Sequence, residues 1–161
     1  MAATQSLELP LPSPDTRTAV AHVPEAGALP WTEVCVLFTS PDETLRALRV
    51  ASDLARLAGG EIRLVDFRVV PMGAPIESPG GRPRVEADGF LDRVRTEGID
   101  VRVNVYVCRN ARQAIPRVFN RQSIIVIGGR QRRWPTRAAR WRRTLERRGH
   151  FVMFVDPSAR S

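Results

Sequence analysis

The sequence has no lysine: all 25 basic residues are arginine. That excludes a phosphate-loop lysine, a Schiff-base lysine and a lysine general base. No apolar run exceeds five residues, far too short for a membrane-spanning helix. Residues 1–11 have neither a basic start nor a continuous apolar stretch, so no cleaved signal peptide is expected. Cysteine is scarce. Cys35 and Cys108 lie far apart inside apolar segments, which predicts reduced, buried thiols in a cytoplasmic protein rather than a disulfide framework or a zinc site. Histidine is equally scarce. His22 has no ligand-type neighbours and His150 stands alone before the last apolar run, so no metal site is expected.

What is present suffices for one domain. The chain has 161 residues, 43% hydrophobic and 26% charged, the proportions of a sequence that folds around a core. Its charge is unevenly placed. Segment 130–148 carries nine arginines (Arg130, Arg132, Arg133, Arg137, Arg140, Arg142, Arg143, Arg147 and Arg148) against one acid, Glu146. The other 16 arginines are matched by 16 acids, so the whole formal +8 sits on that segment. An electrostatic partner is to be sought there.

Residues 1–30 are rich in proline and small residues without periodicity and read as a flexible tail. Regular patterning begins at residue 33. The apolar run 34–38 predicts a strand covered on both faces. Ser40, Pro41 and Glu43 then predict a capped helix start, with Glu43 reaching back to the Ser40 amide as a capping box. Leu45, Leu48, Ala51, Leu54, Ala55 and Ala58 follow at helical spacing, and Gly59-Gly60 predicts the stop. Residues 62–70 predict a second strand, parallel to the first across the crossover. Residues 71–84, with four prolines and three glycines, predict a long mobile loop. A helix is expected over 84–97, with Val85, Leu91 and Val94 inward and Gly98 as its stop. Alternating Val101, Val103, Val105 and Val107 predict a third strand at or near a sheet edge. Asn110 predicts the cap of a short helix, in which Pro116 implies a kink or a later start. A buried fourth strand over 124–127, a helix over 136–148 and a fifth strand over 151–155 complete the pattern. Five strands alternating with four helices predict a single open, doubly wound α/β sheet with helices on both faces, over residues 31–157, followed by a short tail at 158–161.

Three stretches resemble the universal stress protein family: residues 34–70 with "LRALRVASDLARLAGG", the entry into strand three over 98–107, and "SIIVIGGR" followed after a helix by "GHFVMFVD". The resemblance covers residues 33–156. It implies a five-stranded parallel sheet in the order 3-2-1-4-5, a stress-associated role, and often a homodimer through the last strand. The sequence supports that last point independently. Phe151, Val152, Met153, Phe154 and Val155 form an apolar edge strand without an internal charge or proline, and such edges are normally paired or covered. The resemblance also implies ATP binding through an aspartate after strand one, a valine at the end of strand two and a glycine-rich run after strand four. Here Thr39 stands in place of the aspartate, Gln131 in place of the second glycine, and no Gly-Ser or Gly-Thr pair occurs in 130–148. Phosphate cradles need glycine so that backbone amides can approach an anion. The motif is degenerate, and no cofactor is expected.

Three functional readings follow. The first is a non-catalytic, regulatory or stress-associated module, dimeric and with a protein partner. The second keeps ATP or another nucleotide, or a phosphorylated ligand, in a crevice lined by Thr39, Ser40, Val69, Gly128, Gly129, Arg130, Arg132 and Arg133. There Gly128-Gly129 forms either an anion nest or merely a tight turn. The third places a polyanion, RNA, DNA or anionic lipid, on Arg137, Arg140, Arg142, Arg143, Arg147 and Arg148, with Ala138, Trp141 and Leu145 facing the core. No catalytic residues are expected. Ser40 lacks a nucleophile-elbow context, and Asp66 in mid-strand is expected to pair with Arg63 or Arg68.

Overall fold

The computed structural model describes residues 5–8, 33–76, 81–121, 123–130 and 136–156. The strands are β1 (Gln5–Glu8), β2 (Glu33–Leu37), β3 (Glu61–Val69), β4 (Arg102–Cys108), β5 (Ser123–Gly128) and β6 (Phe151–Val155). The helices are α1 (Pro41–Ala58), α2 (Phe90–Thr96), α3 (Ala111–Val118) and α4 (Arg137–Glu146), with a 3-10 segment at Arg84–Gly89. The strand order is β1-β4-β3-β2-β5-β6. Strands β2 to β6 are mutually parallel and stand in the expected order 3-2-1-4-5.

β1 is an addition to that plan. Gln5–Glu8, inside the segment read as a tail, runs antiparallel to β4, from Gln5 opposite Val107 to Glu8 opposite Asn104. Four residues carry no legible period. It is the open edge of β4 that makes the pairing available.

Alternation along each strand divides the core in two. Val34, Val36 and Leu64 pack with Leu48, Ala51 and Phe90 beneath α1 and α2. Cys35, Leu37, Phe67 and Ile127 pack with Ile115, Trp141 and Leu145 beneath α3 and α4. Phe67 stacks on Trp141 at 5.3 Å, an arrangement worth about 1 kcal/mol beyond its buried area. The inward faces predicted for α1 and α4 are thus the observed ones.

Several local expectations are corrected. The Ser40 hydroxyl donates to Glu43 Oε2 at 3.0 Å, so the carboxylate meets the side chain and not the amide. Residues 84–97 are not one helix. Asp88 and Gly89 are left-handed, at φ 56° and 63°, and break it in two. Only glycine adopts that region without strain, so the break falls at the Asp-Gly step. α3 begins at Ala111, capped by the Asn110 side chain on the Arg112 amide, and runs through Pro116 without delay. It ends two residues later, so the missing proline donor falls in its last turn. The loop after β3 is held at its start, where the Arg109 guanidinium donates to the carbonyls of Val70, Pro71 and Ala74.

Candidate functional site

In a doubly wound sheet the ligand crevice opens at the carboxyl ends of the strands, where the strand order reverses. Here that point lies between β2 and β5. Thr39, two residues after β2, spans it. Its hydroxyl donates to the Gly128 carbonyl at 2.9 Å, and its amide donates to Thr44 Oγ1 at 3.1 Å. Ser40 stands beside it as the N-cap residue of α1. The fold therefore gathers Thr39, Ser40 and Gly128 at one point.

Both glycines are packed tightly. A Cβ on Gly128 would lie 2.0 Å from the Glu43 carbonyl oxygen, so the first turn of α1 rests on bare backbone there. A Cβ on Gly129 would lie 2.6 Å from the Ala138 methyl and 2.9 Å from the Phe154 ring. Neither glycine has positive φ, whereas an anion nest alternates right- and left-handed residues. The Gly129 amide is already committed to the Val155 carbonyl at 3.0 Å, continuing the β5–β6 ladder. Of the remaining crevice residues, Arg130 is exposed, and Arg132 and Arg133 lie outside the described residues. Val69 ends β3 opposite Cys108 and is 48% exposed. The β-alternation turns Val70, the next residue, inward.

The partner expected for Asp66 is also corrected. Asp66 is fully buried, and its Oδ1 accepts from the Arg84 guanidinium at 2.7 Å. Oδ2 has no hydrogen-bond partner among the described residues. Arg84 lies over the Phe38 ring at 5.3 Å. Arg137 is close enough that burial, then Arg84, lower its basicity while Asp66 and Cys108 oppose the change. Arg63, at the far end of β3, pairs with Glu33 at 2.8 Å and donates to the Tyr106 hydroxyl and the Val118 carbonyl. Pattern alone missed Arg84 because it is 18 residues from Asp66, across the loop.

The thiols are buried as expected. Burial pushes Cys35 up to about 12, with Arg63 acting against it, and Cys108 is raised for the same first reason. His150 is buried and packs edge-on to Phe119 at 6.3 Å. Burial, then Arg121 and Arg148, hold its imidazole below the ordinary 6.5, and a hydrogen bond with the Asn120 backbone acts the other way.

α4 turns Ala138, Trp141 and Leu145 into the core and leaves Arg137, Arg140, Arg143, Arg147 and Arg148 exposed on it or just beyond it. Arg142 is drawn back over the Phe154 ring at 5.6 Å and pairs with Glu146 at 2.7 Å. β6 is the last strand of the sheet, with Phe151 about half exposed.

No protein-family model matches the chain, and no curated protein does. Solved structures do. A universal stress protein from Archaeoglobus fulgidus superposes with a TM-score of 0.55 at 18% identity, over 78% of this chain and 94% of that one. The chain has the universal stress protein fold. A universal stress protein family member from Burkholderia pseudomallei aligns over 78% of this chain and 96% of that one, at 18% identity and a TM-score of 0.48. A universal stress protein solved in complex with cAMP aligns over 80% and 98%, at 19% identity and 0.47.

Proposed function

We propose that the chain is a regulatory, stress-associated module of universal stress protein type, cytoplasmic and without catalysis, that dimerises through β6 and does not bind ATP in the manner its fold suggests. The observation that carries this reading is the state of Gly128 and Gly129. Their open faces are occupied by Glu43, Ala138 and Phe154, and the Gly129 amide already serves the sheet. A phosphate group approaching there would have to displace the Glu43 backbone or the packed Ala138 and Phe154 side chains rather than water. Thr39, hydrogen-bonded to Gly128, supplies no carboxylate for a base amine. Dimerisation is supported by β6, an apolar terminal strand whose residues are at most partly buried.

A thermal melt with and without millimolar magnesium-ATP tests the nucleotide half of the proposal. No shift is expected. A ligand at about a hundred times its dissociation constant stabilises by about 2.7 kcal/mol, or roughly 5 °C or more for a domain of this size, and a shift of that order would move the nucleotide reading to first place. Light scattering tests the other half, and a monomer at tens of micromolar would remove dimerisation through β6.

A further inference from the structure

Segment 111–148, which holds α3, β5 and α4, carries twelve arginines and one acid, a net +11; the remaining 13 arginines and 16 acids leave the rest at −3, which together make the formal +8. Folding lays α3 beside α4 on one side of the sheet. Between them is an open groove of about 310 Å³ lined by Arg112, Thr144, Arg147 and Arg148. The three arginines are exposed, and among the described residues no carboxylate reaches any of them within ion-pair distance. Arg148 also acts, with Arg121, on the buried His150: burial first and then those two arginines hold that imidazole toward its neutral form. Thr144 donates to the Arg140 carbonyl, so the hydroxyl oxygen still has room to accept. Like charges held this close without counter-charge repel one another, a cost that an anion in the groove removes.

We propose that this groove binds the phosphodiester backbone of a nucleic acid without reading its bases. Three features select that occupant. Guanidinium forks match phosphate oxygens two at a time. The charge extends past the groove to Arg140 and Arg143 along a helix of 10 residues. Such a helix is about 15 Å long, and Arg140, Arg143, Arg147 and Arg148, exposed on it or just beyond it, each offer a fork to one phosphate, about four in all. A shallow, open groove of this size cannot enclose most of a free small ligand, as tight small-molecule sites do. Among the described residues the exposed large apolar ones, Leu57, Val69, Met72 and Phe151, all lie off α3 and α4, which therefore present guanidinium groups rather than an apolar face to a bilayer. Trp141 is turned into the core, so α4 offers guanidinium forks and no stacking ring, and contacts confined to phosphates carry no sequence information.

The test is fluorescence anisotropy of the full chain with a labelled duplex DNA of mixed sequence, titrated across salt. With about four phosphates engaged, affinity should fall roughly 100-fold between about 50 and 200 mM salt. The variant R112Q/R147Q/R148Q should weaken binding at about 50 mM salt by more than about 10-fold and flatten the salt slope by about 3. The variant R46Q/R49Q/R56Q removes the same charge from α1 and should leave both nearly unchanged. All three groove positions are exposed, and a thermal melt verifies that the groove variant remains folded. Absence of binding at low salt, or equal weakening in both variants, would overturn the proposal. Full displacement of the DNA by millimolar inorganic phosphate would replace it with a small-anion site. Binding to phosphatidylserine vesicles without binding to DNA would replace it with a lipid surface.

Discussion

The two helical layers use the same residue differently. Around α1 and α2, most arginines are paired: Arg49 with Glu97, Arg93 with Asp42, Arg95 with Asp92, Arg56 with Asp53, and Arg84 with the buried Asp66. Around α3 and α4, Arg142 pairs with Glu146, while no carboxylate among the described residues reaches Arg112, Arg143, Arg147 or Arg148. A chain-wide taste for arginine over lysine accounts for the residue type, but it does not account for the withdrawal of acids from one layer. Exposed pairs are worth little, about 0 to 1 kcal/mol each, so the paired layer gains solubility and neutrality more than stability. What holds that layer down is contact with the sheet.

Breaking that contact should have the largest effect. Gly128→Ala forces a Cβ to within 2.0 Å of the Glu43 carbonyl oxygen, backbone against backbone. A loss of about 3 kcal/mol or more is expected in urea unfolding. Gly129→Ala meets only side chains and should cost about 1–3 kcal/mol. If Gly128→Ala proves harmless, α1 does not rest on that glycine.

The one buried pair of the same layer comes next. Arg84→Met strands a fully buried carboxylate. Breaking a wholly buried pair costs about 3–5 kcal/mol, and because the Arg84 side chain is 42% exposed we expect roughly 2 kcal/mol. Adding Asp66→Leu to that variant should recover most of the loss. Failure to recover would show that Arg84 acts through its contact with Phe38 and not through charge.

On the unpaired layer the corresponding probe is pH. His150 protonates less readily in the folded chain than in the unfolded one, because of burial and then of Arg121 and Arg148. As pH falls through 6.5 the unfolded chain takes up the proton first, so stability declines from there downward until the native imidazole also protonates. His150→Leu should flatten the melting temperature between neutral and mildly acid pH. An unchanged slope would place the proton uptake elsewhere. The smallest effect concerns Cys35, whose thiol is raised to about 12 by burial. It should resist iodoacetamide at mildly alkaline pH in the folded protein and react once the chain is unfolded.

Most of the fold was legible because it rests on local periodicity. The apolar run at 34–38, the helical spacing from Leu45 to Ala58 and the inward face of Ala138, Trp141 and Leu145 each reflect one period read against one element. The strand order 3-2-1-4-5 came from family resemblance rather than from any local signal. The candidate site was less legible. Gly128-Gly129 offered two readings, turn or nest, and only the approach of Glu43, Ala138 and Phe154 distinguishes a packed backbone from an open cradle. Asp66 looked toward Arg63 and Arg68, its neighbours in sequence, while its partner arrived from beyond the loop. The left-handed break at Asp88-Gly89 was hidden inside a plausible helical pattern.

By itself the sequence determined the alternation of strands and helices, the two covered faces of the strands at 34–38 and 124–127, the buried thiols and the concentration of positive charge after β5, because all of these are properties of neighbours along the chain. Tertiary structure alone decided what met what. It brought β1 from the far N-terminal segment to the β4 edge, joined Arg84 to Asp66 across a loop, and set Arg112 of α3 opposite Arg147 and Arg148 to make a basic groove. Those contacts join residues 18 or more positions apart, and no local period encodes a distance of that kind.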